Sequence, residues 1–405
     1  MSTYRMLTEQ EAVEYARNIP DLFPANAKLT SREIGDGNLN FVFHIQDEIS
    51  NKSIIFKQAL PYARVVGESW PLTLDRARIE SEALILQGEL CPGFVPQVYH
   101  YDIEMALTVM EDLSAYEIMR KGLVARKYYP NFAKHIGTFL ARTLFLTSDL
   151  ALHPYEKKKR VASFSNPELC KITEDLVFTD PYYDAATNSF NPLIREQAEA
   201  LWHDDAVKLE VAKLKEGFLT RTQALLHGDL HTGSIMATEE GTKVIDPEFA
   251  YYGPMGFDIG AVIANLVLNY VAQEGHASDV QERESYQAYL LDTITGIWTT
   301  FEAEFRTLWA EKAVEPSAAI PGYVDDYVRR LLQDTLGYAG CKTIRRIVGL
   351  AHVWDIESIE DPAVRAHSEK LALAIGRELI LKRESISSVE DIADLISDTH
   401  IALSV

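Results

Sequence analysis

Two short stretches decide how this chain reads: Ala224-Leu225-Leu226-His227-Gly228-Asp229-Leu230-His231 and Lys243-Val244-Ile245-Asp246-Pro247-Glu248. In each, a carboxylate follows directly on a short apolar run of strand character, a place where a side chain is exposed yet firmly held. Either acidic residue alone reads as a turn or a helix cap. Together they supply what phosphoryl transfer to a hydroxyl needs from a protein. One group accepts the hydroxyl proton, and oxygen ligands hold a metal that neutralises the phosphates. Asp229 is the candidate base, and Asp246 and Glu248 are candidate magnesium ligands.

The same residues admit a rival reading. His227 and His231 flank Asp229 at alternate positions, and alternate strand residues share a face, which is the pattern of a metal cluster in a hydrolase. That reading lacks a downstream histidine set and leaves two upstream features unexplained. The first is Gly35-Asp36-Gly37-Asn38-Leu39-Asn40, a glycine turn that lets backbone approach phosphates. The second is Lys57, a point charge for those phosphates on the strand after the next turn. A non-catalytic nucleotide-binding scaffold, the third reading, has no use for Asp229.

Working outward, Asn40–Ile45 and Ser53–Gln58 read as two strands of a hairpin, and Ala106–Met110 as another strand. Arg76–Gln87 between them is helical. Its Glu80 and Glu82 compete to pair with Lys57; Glu80 is favoured. Trp70 lies on a long excursion, Tyr62 to Asp75, of the length that functional loops tend to have, and is expected to close over substrate. At the N-terminus Thr8 and Glu11 form a capping box. Beyond Leu113 helices dominate. Pro130 marks a first helical turn, Ile259–Ala272 reads as a buried helix, and a last amphipathic helix begins at Ser387 with Glu390 as capping partner. Its stripe of Val389, Ile392 and Ile396 suits either a homodimer contact or an intramolecular dock.

A β-rich part followed by a helical part predicts an α+β architecture of two lobes, residues 1–113 and 114–405, with a nucleotide held between them. The chain has 405 residues, and its 60 acidic residues against 39 Lys and Arg give a formal charge of −21, which excludes nucleic acid as an expected partner. The apolar run at 259–272 is too short to span a bilayer, so no membrane partner is expected. The N-terminus carries no signal-peptide pattern, and three scattered cysteines fit a reducing, cytoplasmic location.

These motifs resemble the aminoglycoside phosphotransferase and choline kinase superfamily. Within it the chain is similar to the methylthioribose kinase family, on Gly35–Phe43, Gly67–Arg76, Val109–Leu113, His227–Gly233 and Ile344–Arg346. The resemblance implies the bilobal protein-kinase-like fold and an ATP- and Mg2+-dependent transfer to the 1-hydroxyl of S-methyl-5-thioribose, a sugar substrate of methionine salvage. Carried over, Asp229 is the base, and Asp246 and Glu248, with Pro247 between them, hold magnesium at the nucleotide. Lys57 and Asn40, with the turn of Gly35 and Gly37, contact its phosphates. Glu111, Asp112 and Leu113 form a connector that meets the adenine edge. Trp70, Arg345 and Arg346 face substrate or the transferring phosphoryl, although adjacent helical residues diverge by about 100° and only one arginine is expected to reach the site. Glu80, His227 and Asp258 are structural. Two departures stand out. Ser234 stands where many relatives have a metal-binding Asn, and Thr232 replaces the usual Pro. The reaction class alone also accommodates choline, homoserine or an aminoglycoside as acceptor.

Overall fold

Strand pairing starts where β-branched and aromatic residues are densest. The computed structural model describes residues 4–34, 39–63 and 67–404, with backbone only for 63, 67–71 and 404; Gly35 and Gly37 lie outside these residues. The chain forms two compact units, Met1–Tyr116 together with Lys243–Ala250, and Glu117–Thr242 together with Tyr251–Val405.

The first unit is a five-stranded antiparallel sheet with two helices. In chain order its elements are α1 (Glu9–Asn18), β1 (Leu29–Glu33), β2 (Asn40–Asp47), β3 (Ser53–Ala59), β4 (Tyr62–Ala63), β5 (Gly67–Pro71), α2 (Asp75–Leu90), β6 (Val98–Asp102) and β7 (Leu107–Glu111). The sheet order is β1-β2-β3-β7-β6. The expected hairpin is β2–β3, in register from Asn40 opposite Ala59 to Gln46 opposite Ser53. Thr8 and Glu11 make the capping box that starts α1. Strand alternation sends Ile54 and Phe56 into a core shared with Ala12, Ala16 and Val109. It sends Lys57 to the opposite face. There α2 packs, tied to β7 by a 2.6 Å Ser81–Thr108 hydroxyl pair.

The second unit is helical. It begins with β8 (Glu117–Ile118), α3 (Met119–Val124), α4 (Phe132–Leu146), α5 (Pro154–Ser163), α6 (Pro167–Thr173), α7 (Arg195–Trp202) and α8 (Asp205–Thr220). Short strands follow: β9 (Ala224–Leu226), β10 (Ile235–Ala237), β11 (Thr242–Val244), which runs on into the first unit, and β12 (Tyr251–Gly253). The rest is α9 (Gly256–His276), α10 (Val280–Lys312), α11 (Tyr323–Arg345), α12 (Trp354–Glu357), α13 (Pro362–Lys382) and α14 (Glu390–Ser404). The apolar run at 259–272 is the buried middle of α9.

Two glycines set how closely α9 and α11 approach. A Cβ on Gly256 would stand 2.8 Å from the Thr335 amide, and one on Gly260 2.6 Å from the Thr335 carbonyl, nearer than any side chain permits. This fixes the α11 end that carries Lys342 and Arg345 against the α9 start that carries Asp258. The final helix starts later than expected, at Glu390. Its capping carboxylate is Asp391, which accepts the Ser387 and Ser388 amides, because Asp391 and not Glu390 faces back along the chain there. The stripe of Val389, Ile392 and Ile396 is buried within the unit, where α14 packs on α13 and α10. No helix among the described residues is long and apolar enough to cross a membrane.

Candidate functional site

Each unit carries its own cluster of charged side chains. In the first, the short segment Lys243–Ala250 is anchored by the Val244 amide on the Phe94 carbonyl at 2.7 Å and by Lys243 on Glu111 at 2.7 Å. At Asp246 the backbone turns into the left-handed region, φ 69°, a conformation Asp tolerates better than most residues but at about 1–2 kcal/mol. The turn brings the Asp246 carboxylate onto the Lys57 ammonium, which also meets Glu80 at 2.8 Å. Glu82 is not the partner; it pairs with Arg78 at 3.0 Å. Burial opposes the charge on Lys57, but Asp246 and then Glu80 overcome it and raise the lysine above its ordinary value. Burial likewise pushes the Glu80 carboxyl up, against the pull of Lys57.

Arg76, which sequence reasoning missed, completes this cluster. It is fully buried, donates to Glu248 at 2.7 Å and to the Asn40 side chain at 2.8 Å, and binds the carbonyls of Leu60 and Leu39. Asn40 therefore spends its side-chain oxygen on Arg76. The carboxylates of Glu80, Asp246 and Glu248 offer oxygens within 4.8 Å of one another. Hard oxygen donors at this spacing suit a small divalent cation. Pro247 between them is buried, and its carbonyl accepts the Ala250 amide. Of the three residues expected to form a connector, all within the first unit, Asp112 accepts from Ser53 and Ser114 and pairs with His44 at 3.0 Å, Glu111 holds Lys243, and Leu113 is buried. The Trp70 backbone belongs to β5, paired with β4; its side chain lies outside the described residues.

In the second unit β9 pairs with β12 and leads into the turn at Gly228, φ 84°. Asp258, at the start of α9, accepts the His227 amide at 2.6 Å and the Gly228 amide at 3.0 Å, so one carboxylate braces both peptides before Asp229. The Asp229 carboxylate then meets three cations or potential cations. Lys342 Nζ lies 3.0 Å and Arg345 Nη2 3.3 Å from Oδ1, while His231 Nε2 lies 3.4 Å from Oδ2. Burial alone would raise the Asp229 carboxyl; Lys342, His231 and Arg345 outweigh it and hold it well below the usual carboxylate range. Burial pulls His231 down to about 4, so its ring is neutral near pH 7. Its Nδ1 accepts the Gly233 amide at 3.0 Å, which leaves the ring hydrogen on Nε2, facing Asp229.

Arg346 diverges from Arg345, as adjacent helical positions require, and donates to the Ala351 carbonyl at 3.2 Å. Arg120 on α3, also missed from sequence, reaches Asn265 at 2.9 Å and buried Asp355 at 3.3 Å. Lys342 was missed as well. The signal available for it was helical spacing, since Lys342 and Arg345 are three residues apart and share a face. Ser234 is buried and turned onto the Asp229 carbonyl and the His231 ring. Metal chemistry on His227, Asp229 and His231 finds no support. Among the described residues the group that could hold a metal is Glu80, Asp246 and Glu248, and the ring nitrogens Nδ1 of His227 and His231 each accept a backbone amide.

Comparison with known proteins identifies the family. The profile of the phosphotransferase enzyme family matches residues 32–290. A methylthioribose kinase of Geobacillus sp. (strain WCH70) is 51% identical over 401 residues, 99% of this chain and 98% of its own. That of Bacillus pumilus (strain SAFR-032) is 49% identical, covering 98% of each chain. The Yersinia enterocolitica enzyme is 47% identical over 97% of this chain and 98% of its own. Matches of this extent leave no part of either unit unaccounted for, and the chain belongs to the methylthioribose kinase family of phosphotransferases.

Proposed function

We propose that the chain transfers the γ-phosphoryl group of ATP to the 1-hydroxyl of S-methyl-5-thioribose, giving the 1-phosphate and ADP, as a step of methionine salvage. The observation that carries this is the pairing of near-full-length identity to methylthioribose kinases with a partly exposed aspartate whose Oδ1 is taken by two cations. In this reading Asp229 accepts the hydroxyl proton at Oδ2 as the sugar oxygen bonds to the γ-phosphorus. The bond from that phosphorus to the β–γ bridging oxygen breaks, and ADP leaves with the electron pair. Arg345 faces the acceptor or the transferring phosphoryl group, where its planar fork suits oxygen pairs. Arg346 lies next to it and lends positive charge.

The first unit binds the nucleotide in this proposal. Asp246 and Glu248 would hold magnesium, with Glu80 near enough to support them, and the ion would neutralise charge on the β- and γ-phosphates. Lys57 orients the phosphates, kept charged by Asp246 and Glu80. Gly35, Gly37 and Asn40 contact them as well, and backbone groups of Glu111 to Leu113 meet the adenine edge. Trp70 closes over the sugar and keeps water from the phosphoryl group. A homodimer and a cytoplasmic location complete the proposal, the first to be read by light scattering. The deciding experiment measures ATP consumption with methylthioribose, choline, homoserine and an aminoglycoside in parallel. Preference for methylthioribose is expected; preference for any other acceptor replaces the substrate assignment.

A further inference from the structure

We propose that Lys342 is a positioning residue for the transfer: its ammonium occupies one oxygen of Asp229 and so presents the other to the acceptor hydroxyl. The inference rests on the reading of Asp229 as the base. Lys342 sits near the end of α11 and is 4% exposed. A buried ammonium needs strong compensation. Two partners supply it here, Asp229 Oδ1 at 3.0 Å and the face of Phe257, whose ring centroid is 4.5 Å from Nζ. Phe257 belongs to α9, next to Asp258, the carboxylate that braces His227 and Gly228. Lysine, aromatic ring and brace therefore hold Asp229 from two helices whose approach Gly256 and Gly260 permit.

The division of labour on the carboxylate follows from the distances. Among the described residues, Oδ1 receives both Lys342 and Arg345, whereas Oδ2 receives the more distant neutral His231. A carboxylate oxygen with two cationic donors has little capacity left to accept a proton. Oδ2 retains it, and Asp229 keeps about a quarter of its side chain open. Arg345 meets the same oxygen from the last turn of α11, at the longer distance of 3.3 Å.

Protonation sharpens the role. The charged and titratable groups around the pair are Arg345 and Arg346 at the end of α11, His231 in the loop, Arg120 from α3 and Asp258 from α9. Burial brings Lys342 down to about 8, against the attraction of Asp229 and with repulsion from Arg345 and Arg346. The ammonium therefore persists at neutral pH and is lost at the alkaline end. Its removal by mutation takes away the first of the attractions that keep Asp229 ionised, so the carboxyl rises and the acid limb of activity moves to higher pH.

The test compares wild type, Lys342→Met and Lys342→Arg by pH profiles of kcat and kcat/KM with ATP and methylthioribose. Lys342→Met keeps length and ring contact without charge. It is expected to lose about 10–100-fold in kcat, as for an interaction made with the reacting group, while KM for ATP stays within about two-fold. Its acid limb should shift upward. Lys342→Arg, which cannot deprotonate, should recover part of kcat and lose the alkaline fall near pH 8. A Lys342→Met enzyme with wild-type kcat overturns the assignment, and so does one with lowered kcat but an unmoved acid limb, since that is the mark of a packing role. Wild type that fails to phosphorylate methylthioribose, or an active Asp229→Asn enzyme, fails the underlying reading instead, and each is scored separately from the lysine variants.

Discussion

The two charged clusters differ in the sign of what they lack. In the first unit, Lys57 and Arg76 face three carboxylates, Glu80, Asp246 and Glu248. In the second, Lys342, Arg345, Arg346 and Arg120 gather around Asp229 and Asp355, with His231 neutral. Buried charge is tolerated only when compensated. An excess of carboxylate is completed by a cation, and an excess of guanidinium and ammonium by an anion. The first arrangement suits a metal-bound polyphosphate, and the second suits the phosphoryl group as it arrives on the sugar.

The comparison can be broken most directly at its centre. Replacing Asp229 with Asn should lower kcat by about 10²–10⁴-fold, the span of a lost general base, and leave ATP affinity measured by calorimetry unchanged. Loss of ATP affinity in that variant would mean that the two clusters do not divide donor from acceptor. Arg76→Met should next strip Glu248 and Asn40 of their buried partner and destabilise the protein by about 3–5 kcal/mol in denaturant unfolding. A small loss there would show that Glu248 does not depend on Arg76. Asp246→Asn should raise the magnesium concentration for half-maximal rate at least about tenfold, a change typical of weakened metal support, with little change in KM for methylthioribose. The smallest effect separates the adjacent arginines. Arg345→Ala should cost about 1.5–3 kcal/mol in kcat/KM, as for a charge-assisted hydrogen bond, and Arg346→Ala less, because its guanidinium is occupied by the Ala351 carbonyl.

Much of the fold could be read from the chain because its local signals agree with its tertiary ones. The β-branched and aromatic runs at 40–47 and 53–59 pair as a hairpin, Thr8 and Glu11 cap α1, and the apolar run at 259–272 is buried in α9. The signal at the last helix was local too, but two neighbouring acidic residues left it one position out. Glu80 was distinguishable from Glu82 only by the direction in which α2 turns them. Lys342, Arg120 and Arg76 left little trace in sequence. A lone lysine or arginine on a helix ordinarily marks a solvated face, and only packing reveals that these three are enclosed.

The sequence by itself determined the phosphotransferase pattern and the order of its parts: a glycine pair, a lysine strand, an aspartate after an apolar strand, and a carboxylate pair seventeen residues on. These are local patterns, set by strand alternation, turn geometry and residue chemistry. Only the tertiary structure decided which charges meet. Asp246 and Glu248 lie far along the chain, yet they join the first unit and find Lys57 and Arg76. Lys342, more than a hundred residues beyond Asp229, comes to rest against it. Such pairings depend on how closely α9 and α11 cross and how a left-handed turn aims a carboxylate, and neither is written in the residues that pair.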